Sequence, residues 1–105
     1  MSDDERRQSP RMPNTGIVKE AYLVLTSDQK EQLLECSVID ICEHGIKGRL
    51  KEPGDFRYQI SDNLDIPARI VFNNDRVLNL ASKIVWYKDQ PEYLDFGLHF
   101  LGSIW

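Results

Sequence analysis

The chain has 105 residues, 41% of them hydrophobic, and a formal net charge of -4. That length fits one domain with one core, and the acidic balance argues against broad nucleic-acid-polymer binding through a basic surface. The longest unbroken apolar run, Ala21 to Leu25, is far short of the roughly 20 residues that span a bilayer, so no membrane insertion is expected.

Residues 1–16 are polar, contain Pro10, Pro13, Asn14 and Gly16, and show no apolar period. They read as a mobile arm, with the domain proper over 17–105. The opening MSDDE lacks the apolar stretch of a signal peptide, so a cytoplasmic location is expected. The densest cationic cluster of this acidic chain, RRQSPR at 6–11, lies inside the arm.

From Ile17 the pattern becomes β-rich. GIVKEAYLVL is a first strand, with Tyr22 and Val24 on one parity and Ala21, Leu23 and Leu25 on the other. TSDQKEQ is a polar turn with room for one helical twist. LLECSVIDI is a second strand, in which Val38, Ile39 and Ile41 suit a pleated surface. EHG breaks the chain, and GIKGRL resumes it as a short third strand. KEPGDFRYQISDNLD is irregular around the turn signal Pro53-Gly54. PARIVFN is a fourth strand, Asn73–Asp75 a tight turn, RVLNLASKIVWYK a fifth strand and EYLDFGLHFLG the last. Six strands joined mostly by short turns predict an all-β, six-stranded antiparallel barrel, whose closure removes exposed edges.

Cys36 and Cys42 would stand about 20 Å apart on one strand at ~3.3 Å per residue, too far for a disulfide. No CxxC or Cys/His cluster points to a metal site. A Cys/His pair within one turn is no sign of a nucleophile, so no catalytic residue and no enzyme is expected.

Two stretches carry recognition chemistry. Arg7 and Arg11 form R-x-x-x-R. The guanidinium is planar and always charged, and it forks onto phosphate oxygens or stacks on a flat ring. Taken alone, the pair reads as part of a solvated tail. Asp40, Cys42 and Gly45 form D-x-C-x-x-G at the end of a strand. The carboxylate can accept from the N1 and N2 donors of a guanine, and Gly45 permits a positive φ or a close backbone approach. Taken alone, this reads as a hairpin with a solvated aspartate.

Together they resemble the signature of the PilZ domain family, bacterial receptors for the second messenger cyclic di-GMP: R-x-x-x-R on an N-terminal arm, then [D/N]-x-S-x-x-G at a strand turn. Lys83-Ile84-Val85-Trp86 resembles the family's valine-tryptophan strand, and Phe96-Gly97-Leu98-His99-Phe100 its closing Gly-x-x-Phe strand. The one departure is Cys42, which stands where the family has serine.

The resemblance implies a six-stranded PilZ-type barrel and a cyclic di-GMP receptor or adaptor, with Arg7 and Arg11 on phosphates and guanine faces, Asp40 on a guanine edge and Gly45 at the turn. Arg6, just before the motif, implies an intercalated pair of ligands, two molecules per chain. No other cofactor is implied. Cys42 keeps the size of serine but offers a weaker donor and acceptor. One neutral hydrogen bond is worth about 0.5–1.5 kcal/mol against about 1.5–3 for each charged contact, so the arginines should dominate. Trp86 either packs in the core or stacks on a guanine, worth ~1–3 kcal/mol. Many members follow the last strand with a helix; here it is expected to be short or absent. The family's outputs, motility and biofilm formation, imply a protein partner that the residues do not identify. The alternative is a PilZ-like barrel that binds no nucleotide and acts as a constitutive interaction module.

Overall fold

The computed structural model describes residues 12–13 and 16–102. The strands are β1 (Met12–Pro13), β2 (Val18–Ser27), β3 (Lys30–Cys42), β4 (Gly45–Leu50), β5 (Ala68–Phe72), β6 (Val77–Leu80), β7 (Ser82–Asp89) and β8 (Leu94–Phe100). Every ladder is antiparallel. The order across the curled sheet is β6-β5-β2-β3-β4-β8-β7, with β1 added on β3. The expected all-β barrel is the observed fold, and its strand count differs for physical reasons.

The predicted fifth strand is two. The chain breaks at Ala81, so that β6 pairs with β5 and β7 with β8. A single residue thus joins the two ends of the sheet order. Backbone hydrogen bonds from the chain before β5 stitch these ends together. Ile66 N–H donates to Ser82 O at 2.9 Å, Ile84 N–H to Leu64 O at 2.8 Å, and Asn63 N–H to Ile84 O at 2.7 Å. The buried Ser82 hydroxyl donates to Ile66 O. The edge of β7 at 82–84, which a flat sheet would expose, is covered in this way.

The turn expected over 26–32 is tighter than its polarity predicts. β2 runs through Ser27 and β3 starts at Lys30, leaving Asp28 and Gln29 at φ of 50° and 66°. Two consecutive positive φ values are the mark of a I′ hairpin turn. The ladder pairs Thr26↔Glu31 and Ser27↔Lys30 claim the residues that a helical twist would have needed. Further on, a 3-10 turn at Gly54–Tyr58 carries Phe56 into the core.

The interior is one contiguous cluster. Leu23, Ile41, Ile70, Ile84, Leu94 and Phe96 are fully buried, each worth ~1.5–3 kcal/mol relative to exposure. Ile41, Ile46, Leu98 and Ile84 form one inner row across β3, β4, β8 and β7. The residues between them therefore face outward, because successive strand side chains alternate. Cys36 belongs to the core, and burial pushes its thiol up to about 12. Both cysteines are free.

Candidate functional site on the outer face

The outward residues of β3, β4, β8 and β7 also form rows. Asp40 pairs with Lys47, Lys47 with Gly97, and Gly97 with Trp86. One register line thus carries a carboxylate, an ammonium, a bare glycine and an indole. The line continues onto β1, because Pro13 pairs with Asp40 and Met12 with Ile41.

Two bulges set this row. The register shifts between Val38 and Asp40, and again between Ile84 and Trp86, leaving Ile39 and Val85 as extra residues. Strict alternation from the buried Ile84 would turn Trp86 into the core. The extra residue at Val85 re-aims it, and Trp86 lies on the outer face, 37% exposed. It covers Gly97, where a Cβ would fall 2.0 Å from Trp86 Nε1. Lys47 Nζ stands 6.0 Å from the Trp86 ring centroid, at the reach of a cation–π attraction.

A neighbouring row holds Cys42, Gly45, His99 and Lys83. Gly45 is imposed by the backbone: a Cβ there would fall 2.1 Å from Leu98 O. Its φ is not positive, so the close approach of β4 to β8 is what requires glycine. The Glu43–His44 turn is pinned by Phe100 N–H, which donates to His44 O at 2.6 Å.

On the other side, Ser37, Arg49, Asp95 and Lys88 form a third row. Arg49 makes a bidentate contact with Asp95 at 2.7 and 3.1 Å and lies 4.0 Å from the Tyr93 ring centroid. The hydrogen bond to Asp95, with the carboxylate charge behind it, raises the Arg49 pKa further. This arginine is already neutralised within the fold. Lys47 makes no ion pair among the described residues.

Of the residues singled out in the sequence, Asp40, Cys42, Gly45 and Trp86 come together on this one face. Arg6, Arg7 and Arg11 lie outside the described residues. Lys47, Lys83 and His99 were not singled out. Only the cross-strand register brings them beside Asp40, and a single strand's sequence does not state its register.

Comparison with known proteins gives the family and the fold. The PilZ domain model matches residues 5–103, and the chain belongs to the PilZ domain family. Its members are receptor and adaptor domains rather than enzymes. The crystal structure of YcgR from Escherichia coli, in complex with c-di-GMP, superposes with a TM-score of 0.61 at 11% identity. The alignment covers 91% of this chain and 38% of YcgR, so the chain spans under two fifths of that protein. At this identity the likeness is one of fold. No match was found among curated proteins.

Proposed function

We propose that the chain is a cyclic di-GMP receptor or adaptor, in which the ligand lies on the outer face at Asp40 and Trp86 and is closed over by Arg7 and Arg11. The observation that carries this reading is the Pro13–Asp40 pairing. β1 begins one residue after Arg11, which supports an approach of the arginine motif to the strand that bears Asp40. The family match spans both motifs, and YcgR was solved with c-di-GMP.

Among the described residues, the cavities of about 680 and 340 Å³ are not lined by Asp40, Lys47, Gly97 or Trp86. Guanidinium groups supply both charge and a flat covering surface. Asp40 accepts from the guanine N1 and N2 donors, Trp86 offers a stacking face, and Lys47 places a cation between them. Arg6 adds the charge that a second, intercalated ligand requires. Cys42 weakens the site modestly relative to a serine.

Closing the arm costs roughly 1–2 kcal/mol of backbone entropy per residue fixed, which the charged contacts offset. The closed arm and its ligand then form a surface that a protein partner reads, a disorder-to-order switch. Hydrogen exchange over residues 5–14, with and without cyclic di-GMP, tests it. Protection that rises on ligand addition is expected, and unchanged protection would contradict the switch.

A further inference from the structure

The chain before β5 covers the outer edge of β7 only as far as Ile84, whose N–H donates to Leu64 O and whose carbonyl accepts from Asn63 N–H. Beyond that point β7 is the last strand of the sheet order. Ile84 aims its backbone groups away from β8, so its pair with Leu98 is one without ladder bonds. Leu98 then bonds towards β4, and Gly97 towards β7. Past the extra residue Val85, the bonded pairs are therefore Trp86 with Gly97 and Lys88 with Asp95. Gln90 keeps this phase, its N–H donating to Tyr93 O at 2.9 Å. Tyr87 and Asp89 alternate with these residues and point their N–H and C=O groups outward. Among the described residues no strand meets them on that side.

We infer that residues 85–89 of β7 form a docking edge for an extended, acidic segment of a partner protein, which adds one strand to the sheet. Main-chain hydrogen bonds to Tyr87 and Asp89 supply the attachment, and side chains on the two faces supply the choice of segment. The inference stands apart from nucleotide binding.

The exposed apolar surface gathers at this edge. Val85, Trp86 and Tyr87 follow one another and are 47%, 37% and 39% exposed. Scattered exposed hydrophobics are ordinary, whereas a run of them on an open strand edge marks a surface that pairs. The Gly54–Tyr58 turn flanks the far end of the edge, where Arg57 Nε stands 3.4 Å from Asp89. Its last residue, Tyr58, is 84% exposed. Tyrosine and tryptophan are the side chains that most often anchor interfaces.

Charge selects the occupant. Lys88 shares the outer face with Trp86, and Lys47 Nζ lies 6.0 Å from the indole centroid. Neither lysine makes an ion pair among the described residues. The carboxylate opposite Lys88, Asp95, is held by both arms of Arg49, and Asp89 faces Arg57. A strand whose outer face carries carboxylates would give Lys88 its counter-charge, while the alternate apolar residues meet Tyr87. Opposite charges across a strand pair are favourable and like charges are not. A second copy of β7 brings no free carboxylate, and lysine on an edge discourages self-pairing.

The test is an NMR titration without nucleotide, reading hydrogen exchange at individual backbone amides. The probe is an alternating glutamate–valine peptide of about six residues, an ordinary strand length. Its controls are the lysine–valine peptide and the glutamate–valine peptide N-methylated at alternate residues. The acidic peptide should slow exchange at Tyr87 and Asp89 and change little at Trp86 and Lys88, which already bond to β8. Both controls should bind far more weakly. Lys88 is exposed, and Lys88→Glu should weaken the acidic peptide by about fivefold, the reach of one exposed ion pair, with a difference that shrinks in high salt. Unchanged exchange at Tyr87 and Asp89 in millimolar acidic peptide overturns the inference. So does equal binding of the lysine–valine peptide, or wild-type affinity in Lys88→Glu. Self-association that protects the same amides before any peptide is added gives the edge to a second copy and overturns it as well. None of these results bears on cyclic di-GMP binding.

Discussion

Trp86 fills the space that a side chain at position 97 would need: a Cβ on Gly97 would fall 2.0 Å from the indole Nε1. The two residues are cross-strand partners on β7 and β8. Gly97 is not in the positive-φ region, so space alone requires glycine there. Gly97→Ala should push the part-exposed indole outward, at a cost of about 1–2 kcal/mol for the crowding. Urea unfolding followed by tryptophan emission checks this. The native emission should move to longer wavelength, and cyclic di-GMP affinity should fall by the worth of a lost stacking contact.

The value of that pair was only half legible in advance. The apolar alternation of β2, β5 and β8 marks strands directly, and the family resemblance singles out Asp40, Cys42, Gly45 and Trp86 as candidates. The outward aim of Trp86 was not legible. It depends on the bulge at Val85, and a bulge residue here looks like any β-branched strand residue. The break at Ala81 is hidden for a similar reason, since alanine carries no turn signal. The Asp28-Gln29 turn lacks the Asn-Gly or Asp-Gly that normally announces a I′ hairpin. Lys47 and His99 are hidden because register is a property of paired strands, fixed by Ile41, Ile46 and Leu98 packing inward together.

Gln29 occupies the second left-handed turn position at φ 66°, where a side chain costs energy that glycine avoids. Gln29→Gly should therefore stabilise the chain by about 0.5–1 kcal/mol, an uncommon direction for a glycine substitution. The shift in the urea midpoint at constant slope is the check, and ligand affinity should not change because the turn lies away from the Asp40 row.

Arg49 and Asp95 form the best-defined ion pair of the outer face, bidentate at 2.7 and 3.1 Å, although Arg49 is over a third exposed. Solvent screening keeps the contribution of such a pair small. Asp95→Asn should lower the urea midpoint only slightly and leave the stoichiometry of cyclic di-GMP binding intact. A large loss of binding would move the site one row towards Arg49.

Burial raises the Cys36 thiol from 9.0 to about 12. The folded chain therefore holds its proton where the unfolded chain has lost it. This contribution to stability is complete below about pH 9 and declines as pH rises towards 12, with a limiting slope of about 1.4 kcal/mol per pH unit. Comparing the urea midpoints of the wild type and Cys36→Val at about pH 8 and about pH 10.5 isolates it, because lysines and tyrosines titrate alike in both. The wild type should lose more stability than the variant. In the same samples a thiol reagent should label Cys42 in the folded state and Cys36 only on unfolding.

The most direct measurement of the central claim is a calorimetric isotherm with cyclic di-GMP, reading both affinity and stoichiometry, for the wild type and Arg7→Ala. The account predicts saturable binding of two ligands per chain by the wild type, with both affinity and the two-to-one ratio collapsing in Arg7→Ala while thermal unfolding is unchanged. Saturable uptake that Arg7→Ala leaves untouched, or no uptake by the wild type at millimolar ligand and low salt, would contradict it.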